Sequence, residues 1–176
     1  ELSIEEVQKV HFFSATKGIL PETNLTVTQY LQSILQVSEQ KIGFVSGPSH
    51  AEEIARERLT YLTVMSKNNA LAQEVAALLS NRYILAKVNS DVLGAEYATA
   101  LKNVMAIAVG IAHGLGYGDN FIAVLVSNAL KEIERFVNTL HPHQRNITDY
   151  VYLGDLLVTC YSQYSRNRTL GLMLGK

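Results

Sequence analysis

A single lysine interrupts the most apolar stretch of the chain. Between residues 91 and 116 (DVLGAEYATALKNVMAIAVGIAHGLG), the only fixed charge after Glu96 is that of Lys102. Burial disfavours a charged ammonium, so a partly desolvated lysine has a lowered pKa and can donate or accept a proton near neutral pH. Lys102 is therefore a candidate general acid/base, and the alternative is a surface lysine whose stem lies along apolar neighbours.

The surroundings of Lys102 follow from helical spacing. At about 100° per residue, one stripe about 120° wide collects the polar or small residues, which are Glu96, Thr99, Lys102, Asn103, Ala106, Gly110 and His113. The rest of the circumference is apolar, which predicts a central helix buried on most sides. The polar stripe is then either a thin solvent-facing edge or the wall of a cleft.

A second candidate is the segment GPSHAEE, where a strand pattern turns sharply into a helix pattern. Ser49 and Glu52 fit a capping box. The free N–H groups of that helix could also hold a phosphate or another polar ligand. A third interpretation is a GxSxA nucleophile turn with the triad Ser49, Asp119 and either His141 or His143, although no second oxyanion loop is visible.

The C-terminal segment LGDLLVTCYSQYSRNRTLG offers groups that bind oxyanions and hydroxyls. Asp155 and Thr159 are four residues apart and share a face if the segment is helical. Ser165, Arg166 and Asn167 supply a hydroxyl, a guanidinium and an amide in succession, a set that can grip a phosphate or a polyol. The alternative is a solvated loop with two arginines.

No metal site is predicted. His141 and His143 flank a proline in a polar loop, and Cys160 has no CxxC partner, so neither a metal nor a nucleophile role is assigned to them. Three glycines in GLGYGDN follow a helix pattern and lack the GxGxxG spacing, so they are predicted to end the long helix and turn the chain: Gly114, Gly116 and Gly118.

Alternating strand and helix patterns in the first half must position these groups. Strands are predicted at 11–15, 42–46, 61–65 and 83–88, and helices at 26–37, 49–58 and 70–79, after a short polar helix at the start. This alternation indicates a layered, partly parallel α/β sheet. Helices alone follow, at 91–113, 119–140, 146–151 and from 154 onward, so the domain boundary is placed between 1–89 and 90–176.

Composition narrows the class of protein. The chain has 176 residues, 48% of them hydrophobic and 18% charged, which is typical of a globular fold. A net charge of -1 without a basic run argues against a nucleic-acid or membrane-surface role but allows a small anionic ligand. Polar and charged interruptions argue against a membrane span or signal peptide, and a single cysteine favours the cytoplasm.

Four blocks of sequence together resemble one family. They are SATKG at 14–18, SGPSHA at 46–51, LKNVMAIAVGIAHGLGYGDN at 101–120, and GDLLVTC with SRNR at 154–168. Their order and spacing are similar to those of the bacterial NAD(P)-dependent glycerol-3-phosphate dehydrogenases across nearly the whole chain. The resemblance implies a partial Rossmann-like sheet followed by an all-α substrate domain on a long central helix. It also implies reduction of dihydroxyacetone phosphate to sn-glycerol 3-phosphate for phospholipid synthesis.

The resemblance assigns roles residue by residue. It makes Lys102 the general acid/base and Lys17, Ala51 and Arg166 contacts of the NAD(P) cofactor. The substrate contacts that it implies are Lys17, Gly47, Ser49, Lys102, Asp155, Ser165, Arg166 and Asn167. We expect Asp155 to orient Lys102, which would protonate the alkoxide formed when hydride reaches the ketone, while Arg166 and Asn167 hold the phosphate.

The chain also departs from the family pattern. It lacks the first strand and the GxGxxG loop, so it is predicted to be an internal fragment with little or no activity alone and an exposed sheet edge that would promote homo-oligomers. Ser127-Asn128 stands where a Thr-Arg pair is usual, and Tyr152 where a glycine is usual. The open alternatives are a related hydroxy-acid dehydrogenase with a helical second domain and a non-catalytic phosphate-binding module.

Overall fold

The computed structural model describes residues 4–176 and contains a sheet followed by a set of helices. The strands are β1 Phe12–Ser14, β2 Ile42–Ser46, β3 Thr60–Ser66 and β4 Ile84–Asn89. Between and before them lie α1 Ile4–Val7, α2 Val27–Ser33, α3 Ala51–Ile54 and α4 Asn69–Leu79. The helical part comprises α5 Val92–Gly114, α6 Asp119–Leu140, α7 Asp155–Tyr161 and α8 Arg166–Leu174, with a π-type turn at Tyr150–Gly154.

The strands form one mixed sheet in the order β1-β2-β3-β4. β1 is parallel to β2 and β3 is parallel to β4, whereas β2 and β3 are antiparallel. Phe44 of β2 and Met65 of β3 are fully buried in the same apolar cluster as the inner faces of α5, α6 and α7. The prediction of a partial Rossmann-like sheet followed by a helical part on a long central helix is confirmed, and the two parts share one core.

Several predicted boundaries were wrong by part of an element. The helix predicted at 49–58 is only α3, because Glu57 adopts a φ of 54° and turns the chain. The helix predicted at 26–37 ends at Ser33, and Gln36 has a φ of 52°. The helix predicted at 146–151 is instead a turn that leads into α7, and the first part of the short polar helix lies outside the described residues.

The structure decides between the two interpretations of the polar stripe on α5. The polar and small stripe is the buried one, with Glu96, Thr99, Lys102, Ala106 and Gly110 all inaccessible or nearly so. On the apolar remainder, Val104 is 59% exposed. The small residues allow neighbouring elements to pack closely, and the buried polar residues form hydrogen bonds or ion pairs inside the protein. The stripe is therefore not a solvent-facing edge, and Lys102 is not a surface lysine.

Glycines set the distance between α5 and α8. A Cβ added to Gly110 would lie 2.1 Å from the Arg168 carbonyl oxygen, and one added to Gly171 would lie 2.1 Å from the Ile107 carbonyl oxygen. Because these obstacles are backbone atoms, no side-chain movement could relieve them. This close packing places the first residues of α8 beside the middle of α5.

Helix α5 passes a length and composition test for a membrane span, but half of its most apolar window is buried inside the protein. A core helix passes the same test, and α5 packs against the sheet, α6, α7 and α8. This helix is therefore weak evidence for a membrane segment. It ends at Gly114, after which Gly116 has a φ of 86° and Gly118 precedes α6, as the sequence predicted for these glycines.

A buried cluster anchors the turn before α7 to the start of α5. The Asp91 side chain caps α5 by accepting from Gly94 N, and it also accepts from Arg145 Nε at 2.8 Å and from Tyr152 Oη at 2.5 Å. Burial opposes ionisation of Asp91, but the hydrogen bonds from Arg145 and Tyr152 outweigh it and lower its pKa. The side chain at 152, where a glycine was expected, thus fixes the segment that leads to Asp155.

Candidate functional site

The carboxyl end of β2 forms one wall of the site. Gly47 follows the strand with a φ of 144°, and a Cβ there would lie 2.5 Å from the Tyr61 carbonyl oxygen, so a larger residue does not fit. The Gly47 carbonyl accepts from Lys17 Nζ at 3.3 Å and from Ser49 Oγ at 2.9 Å. The sharp turn therefore brings Lys17 and Ser49 to the same backbone oxygen.

Asp155, the first residue of α7, lies at the centre of the site and is 1% exposed. Its carboxylate forms an ion pair with Lys102 through Oδ1. Lys17 Nζ approaches Oδ2 at 3.2 Å and Oδ1 at 3.4 Å, and Ser46 Oγ donates to Oδ2 at 3.2 Å. One carboxylate thus joins two ammonium groups that come from the sheet part and from α5.

The charge balance around Lys102 moves it toward neutrality. Burial lowers the pKa of Lys102, Asp155 raises it, and the neighbouring Lys17 lowers it again, with a resulting pKa of about 8. At neutral pH the side chain is mainly an ammonium, yet little free energy is needed to remove its proton. This is the property that a group exchanging protons with an alkoxide requires.

An open cleft of about 680 Å³ leads to Lys102. Predicted site residues that line it are Lys17, Ser49, Ala51, Lys102, Ser165, Arg166 and Asn167. Gly47 and Asp155 do not line the cleft but contact Lys17 directly beneath it. The structure thus brings every predicted site residue into one region, although they come from α3, α5, α7, α8 and the loops between elements.

The start of α8 faces this cleft. Ser165 is the N-cap and accepts from Arg168 N at 3.3 Å, so a helix begins at Arg166 and the alternative of a solvated loop with two arginines is wrong. The Arg166 side chain is exposed, and among residues 4–176 no carboxylate pairs with it. A helix N-terminus with a free guanidinium is suited to bind an oxyanion.

Two interpretations of Ser49 were wrong. His50, not Ser49, precedes α3, and it makes no capping bond, so the capping box of Ser49 and Glu52 does not form. The hydrolase triad is also impossible, because Asp119 begins and His141 follows the 22-residue helix α6, which is about 33 Å long. His141 instead lies 3.7 Å from Asp91, with its ring stacked on that of His143.

Some residues at the site were not among the substrate and cofactor contacts predicted from the sequence. Ser46 donates to Asp155, and Thr159, Asn103, His50 and Tyr164 line the cleft. The His50 Nε2 atom is buried and has no hydrogen-bond partner among the described residues. The position of Ser46 at the last place of a buried strand was a usable signal, whereas Tyr164 lacked any pattern.

Beyond the cleft, a second buried carboxylate joins the sheet part to α5. Glu96 is 2% exposed and accepts from Thr26 Oγ1 at 2.7 Å, from Thr28 N at 3.1 Å and from the Thr28 hydroxyl. Burial raises the pKa of Glu96 despite these hydrogen bonds. The folded state therefore holds a proton on Glu96 at pH values where the unfolded chain has released it.

This raised pKa predicts a pH-dependent effect of Glu96→Gln. Stability falls as pH rises wherever the folded state binds more protons, so the wild-type chain loses stability from the ordinary glutamate pKa of about 4.3 up to the raised value. Glu96→Gln removes this loss. The free energy of unfolding of the variant, relative to that of the wild type, therefore increases with pH and then levels off. Urea unfolding from pH 4 to pH 8 measures the difference.

Glu132→Gln on the exposed face of α6 is the matched control, because it removes a glutamate carboxylate that is not buried. A constant difference for Glu96→Gln would contradict the assignment of Glu96 as a buried group with a raised pKa.

Burial also raises the pKa of the Cys160 thiol, to about 11. This free cysteine is fully buried in the shared core beneath the site. Its thiolate is therefore scarce at neutral pH, which does not suit a nucleophile.

Comparison with known proteins agrees with this arrangement. The family model described as NAD-dependent glycerol-3-phosphate dehydrogenase N-terminus matches residues 3–72, and the model of the C-terminus matches residues 91–176. The glycerol-3-phosphate dehydrogenase [NAD(P)+] of Bacillus pumilus is 41% identical over 169 residues, which cover 96% of this chain and 49% of that protein. That of an Exiguobacterium species is 37% identical and is covered to 52%.

Solved structures give the same result. The glycerol-3-phosphate dehydrogenase of Coxiella burnetii matches with a TM-score of 0.87 at 30% identity, over 98% of this chain and 55% of that one. The enzyme of Saccharomyces cerevisiae matches with a TM-score of 0.80 at 27% identity, over 96% of this chain and 50% of that one. The chain spans about half the length of the curated relatives it matches. The N-terminal and the C-terminal model of one family match the chain in order, and the chain therefore belongs to the NAD-dependent glycerol-3-phosphate dehydrogenase family.

Proposed function

We propose that this chain forms the substrate-binding and proton-transfer part of an enzyme that interconverts dihydroxyacetone phosphate and sn-glycerol 3-phosphate with NAD(P)H. The observation that carries the proposal is the buried Lys102, which is paired with Asp155 at the base of a cleft that also presents Lys17 and Arg166. The whole protein is taken to be a chain of the relatives' length that contains this sequence. We also propose that the whole protein is cytoplasmic, takes part in glycerophospholipid synthesis and forms a homo-oligomer.

In this proposal Lys102 is the general acid in ketone reduction and the general base in the reverse reaction. When bound, the cofactor supplies or accepts the hydride. Reduction leaves negative charge on the former carbonyl oxygen, and the Lys102 ammonium stabilises that charge and donates its proton. Asp155 holds the ammonium in place and keeps it charged near neutral pH. The proton returns to Lys102 from solvent or, in the reverse direction, from the alcohol.

The phosphate of the substrate is assigned to the start of α8. Arg166 and Asn167 offer a guanidinium, an amide and free helix N–H groups, and the hydroxyl of Ser165 lies beside them. Lys17, with the turn at Gly47 and Ser49, closes the opposite side of the cleft. The distribution of positive charge at both sides of the cleft supports a doubly charged phosphate ester over a singly charged hydroxy acid.

The cofactor contacts are assigned to Lys17, Ala51 and Arg166. All three line the cleft that exposes Lys102, and the unpaired guanidinium of Arg166 fits an anionic dinucleotide. Residues 1–89 would then belong to the dinucleotide-binding domain and residues 90–176 to the substrate domain. The exposed residue Ala51 leaves room for the cofactor to approach the backbone.

Oxidation of NAD(P)H with dihydroxyacetone phosphate, measured on this chain and on the whole protein, tests the proposal. We expect turnover by the whole protein, little or none by this chain, and binding of sn-glycerol 3-phosphate to this chain in calorimetry. A whole protein that reduces another ketone but not dihydroxyacetone phosphate would refute the substrate. Binding by the chain with no turnover of any ketone by the whole protein would favour the phosphate-binding module.

A further inference from the structure

Ser46 is the least accessible polar group in contact with the acid/base pair. It is the last residue of β2 and is 1% exposed. Its neighbour on β3 is Thr63, and its hydroxyl crosses from the sheet part to the helical part to reach Asp155 Oδ2 at 3.2 Å. No role in substrate or cofactor binding has been assigned to it above, and it does not line the cleft.

The two oxygens of Asp155 share Lys17 but differ in their other partners. Oδ1 faces Lys102, whereas Oδ2 accepts from Ser46 and lies 3.2 Å from Lys17. A carboxylate can rotate about its last side-chain bond, and Lys17 lies within reach of both oxygens. The hydroxyl of Ser46 is the one neutral donor that opposes this rotation among the described contacts of Asp155.

We propose that Ser46 is a positioning residue of the active site, whose hydroxyl holds Oδ2 of Asp155 and thereby keeps Oδ1 directed at Lys102. This inference rests on the proposed function, because it gives the Lys102–Asp155 pair a catalytic purpose. The end of β2 then positions two residues of the site. Ser46 donates to Asp155, and the carbonyl oxygen of the next residue, Gly47, accepts from Lys17.

Removing the hydroxyl has a defined consequence for Lys102. In Ser46→Ala the hydroxyl that holds Oδ2 is lost, so the carboxylate is free to turn away from Lys102 toward Lys17, which is more exposed than Lys102. Lys102 then loses part of the interaction that favours its charged form, while burial and the charge of Lys17 still oppose that form. The pKa of Lys102 therefore falls, by about one unit if the lost contact is a typical hydrogen bond to a charged group.

The test measures the pKa of Lys102 in this chain by NMR, with ¹³C-labelled lysine and with Lys102→Arg to assign the signal. We expect a decrease in Ser46→Ala and a return toward the wild-type value in Ser46→Thr, which restores the hydroxyl. An unchanged or raised pKa of Lys102 in a folded Ser46→Ala chain would overturn the proposal. Ser46→Cys, with a weaker donor, gives an intermediate value and provides a second variant if alanine prevents folding.

Ser66→Ala is the matched control. Ser66 ends β3, is also 1% exposed, and donates through its hydroxyl to the Ile42 carbonyl at 2.8 Å. Its loss removes this buried hydrogen bond and the one that Ser66 Oγ accepts from Asn68 N, without touching Asp155. We expect it to lower stability about as much as Ser46→Ala while leaving the pKa of Lys102 unchanged. An equal pKa change in both variants would mean that Ser46 has only a structural role.

Kinetics of the whole protein provide a second readout. Ser46→Ala should lower kcat for ketone reduction about 10-fold and leave KM for dihydroxyacetone phosphate within about 2-fold, because Lys102 is disturbed and the phosphate contacts are not. A raised KM with unchanged kcat would contradict the positioning role. Since the NMR measurement needs no substrate, an error in the substrate assignment would leave that test of Ser46 intact.

Discussion

Replacing Lys102 with alanine is expected to lower the turnover of dihydroxyacetone phosphate by the whole protein about 10²- to 10⁴-fold. This range is the typical contribution of a positioned general acid or base. The buried ammonium is paired with Asp155 and opens to the cleft, whereas Lys17, the other ammonium of the site, is more exposed and also donates to the Gly47 carbonyl. Steady-state oxidation of NAD(P)H measures the loss, and Lys102→Met should show the same loss because it keeps the aliphatic length without the amine.

Lys131→Ala is the control, since this lysine is exposed on α6, away from the cleft. Its turnover should equal that of the wild type. Unchanged turnover in Lys102→Ala would refute the proposed mechanism. The pH profile gives a further check: with a Lys102 pKa of about 8, kcat for ketone reduction should fall above about pH 8, because the ammonium that donates the proton is lost.

Asp155→Asn is expected to destabilise the chain by up to about 3–5 kcal/mol near pH 7. Removing one partner of a buried ion pair leaves the other charge without compensation. Here two ammonium groups, those of Lys17 and Lys102, lose the carboxylate that they share. Equilibrium unfolding in urea measures the difference in the free energy of unfolding between the variant and the wild type.

The effect of Asp155→Asn should also depend on pH with a definite sign. In the wild type the folded-state pKa of Lys102 is about 8, below the ordinary value of about 10.4, so the unfolded chain holds more protons between these values and stability rises with pH there. Without Asp155 the pKa of Lys102 falls further. The rise in stability should then begin at lower pH, which unfolding curves between pH 6 and pH 10 would reveal.

Asp149→Asn is the matched control for this charge removal. Asp149 pairs with Lys87 at 3.4 Å, and both side chains are partly exposed. Exposed ion pairs contribute about 0–1 kcal/mol, so this variant should change stability little and leave the onset of the alkaline rise in place. An equal loss of stability in the two variants would contradict the central position of Asp155.

The sequence predicted the helices and strands well where the hydrophobic residues followed a single periodicity. The predicted strand at 42–46 and the predicted helix at 119–140 agree with β2 and α6 at both ends. Errors arose where backbone turns decided the boundary, as at Gln36 and Glu57, whose positive φ values carry no clear sequence signal. The sequence also left open whether the polar stripe of α5 faces solvent or a cleft, because the spacing of polar residues on a helix does not reveal which side its neighbours cover.

The sequence by itself determined the family, the order of the elements and the residues that carry chemical groups. Four blocks in a fixed order were enough for this, since each block contributes residues of a defined type at a defined spacing. Local periodicity also identified the central helix and its lone lysine, because burial patterns repeat with the geometry of the backbone.

Only the tertiary structure decided how these residues act on one another. Lys17 and Asp155 are 138 positions apart in the chain, and Ser46 and Asp155 are 109 apart, yet the three side chains meet at one carboxylate. The pKa of Lys102 is lowered by burial and by Lys17 and is raised by Asp155, and the fold brings all three influences together. Such electrostatic effects depend on distance and solvent exclusion in three dimensions, and neither quantity is written in the spacing of residues along the chain.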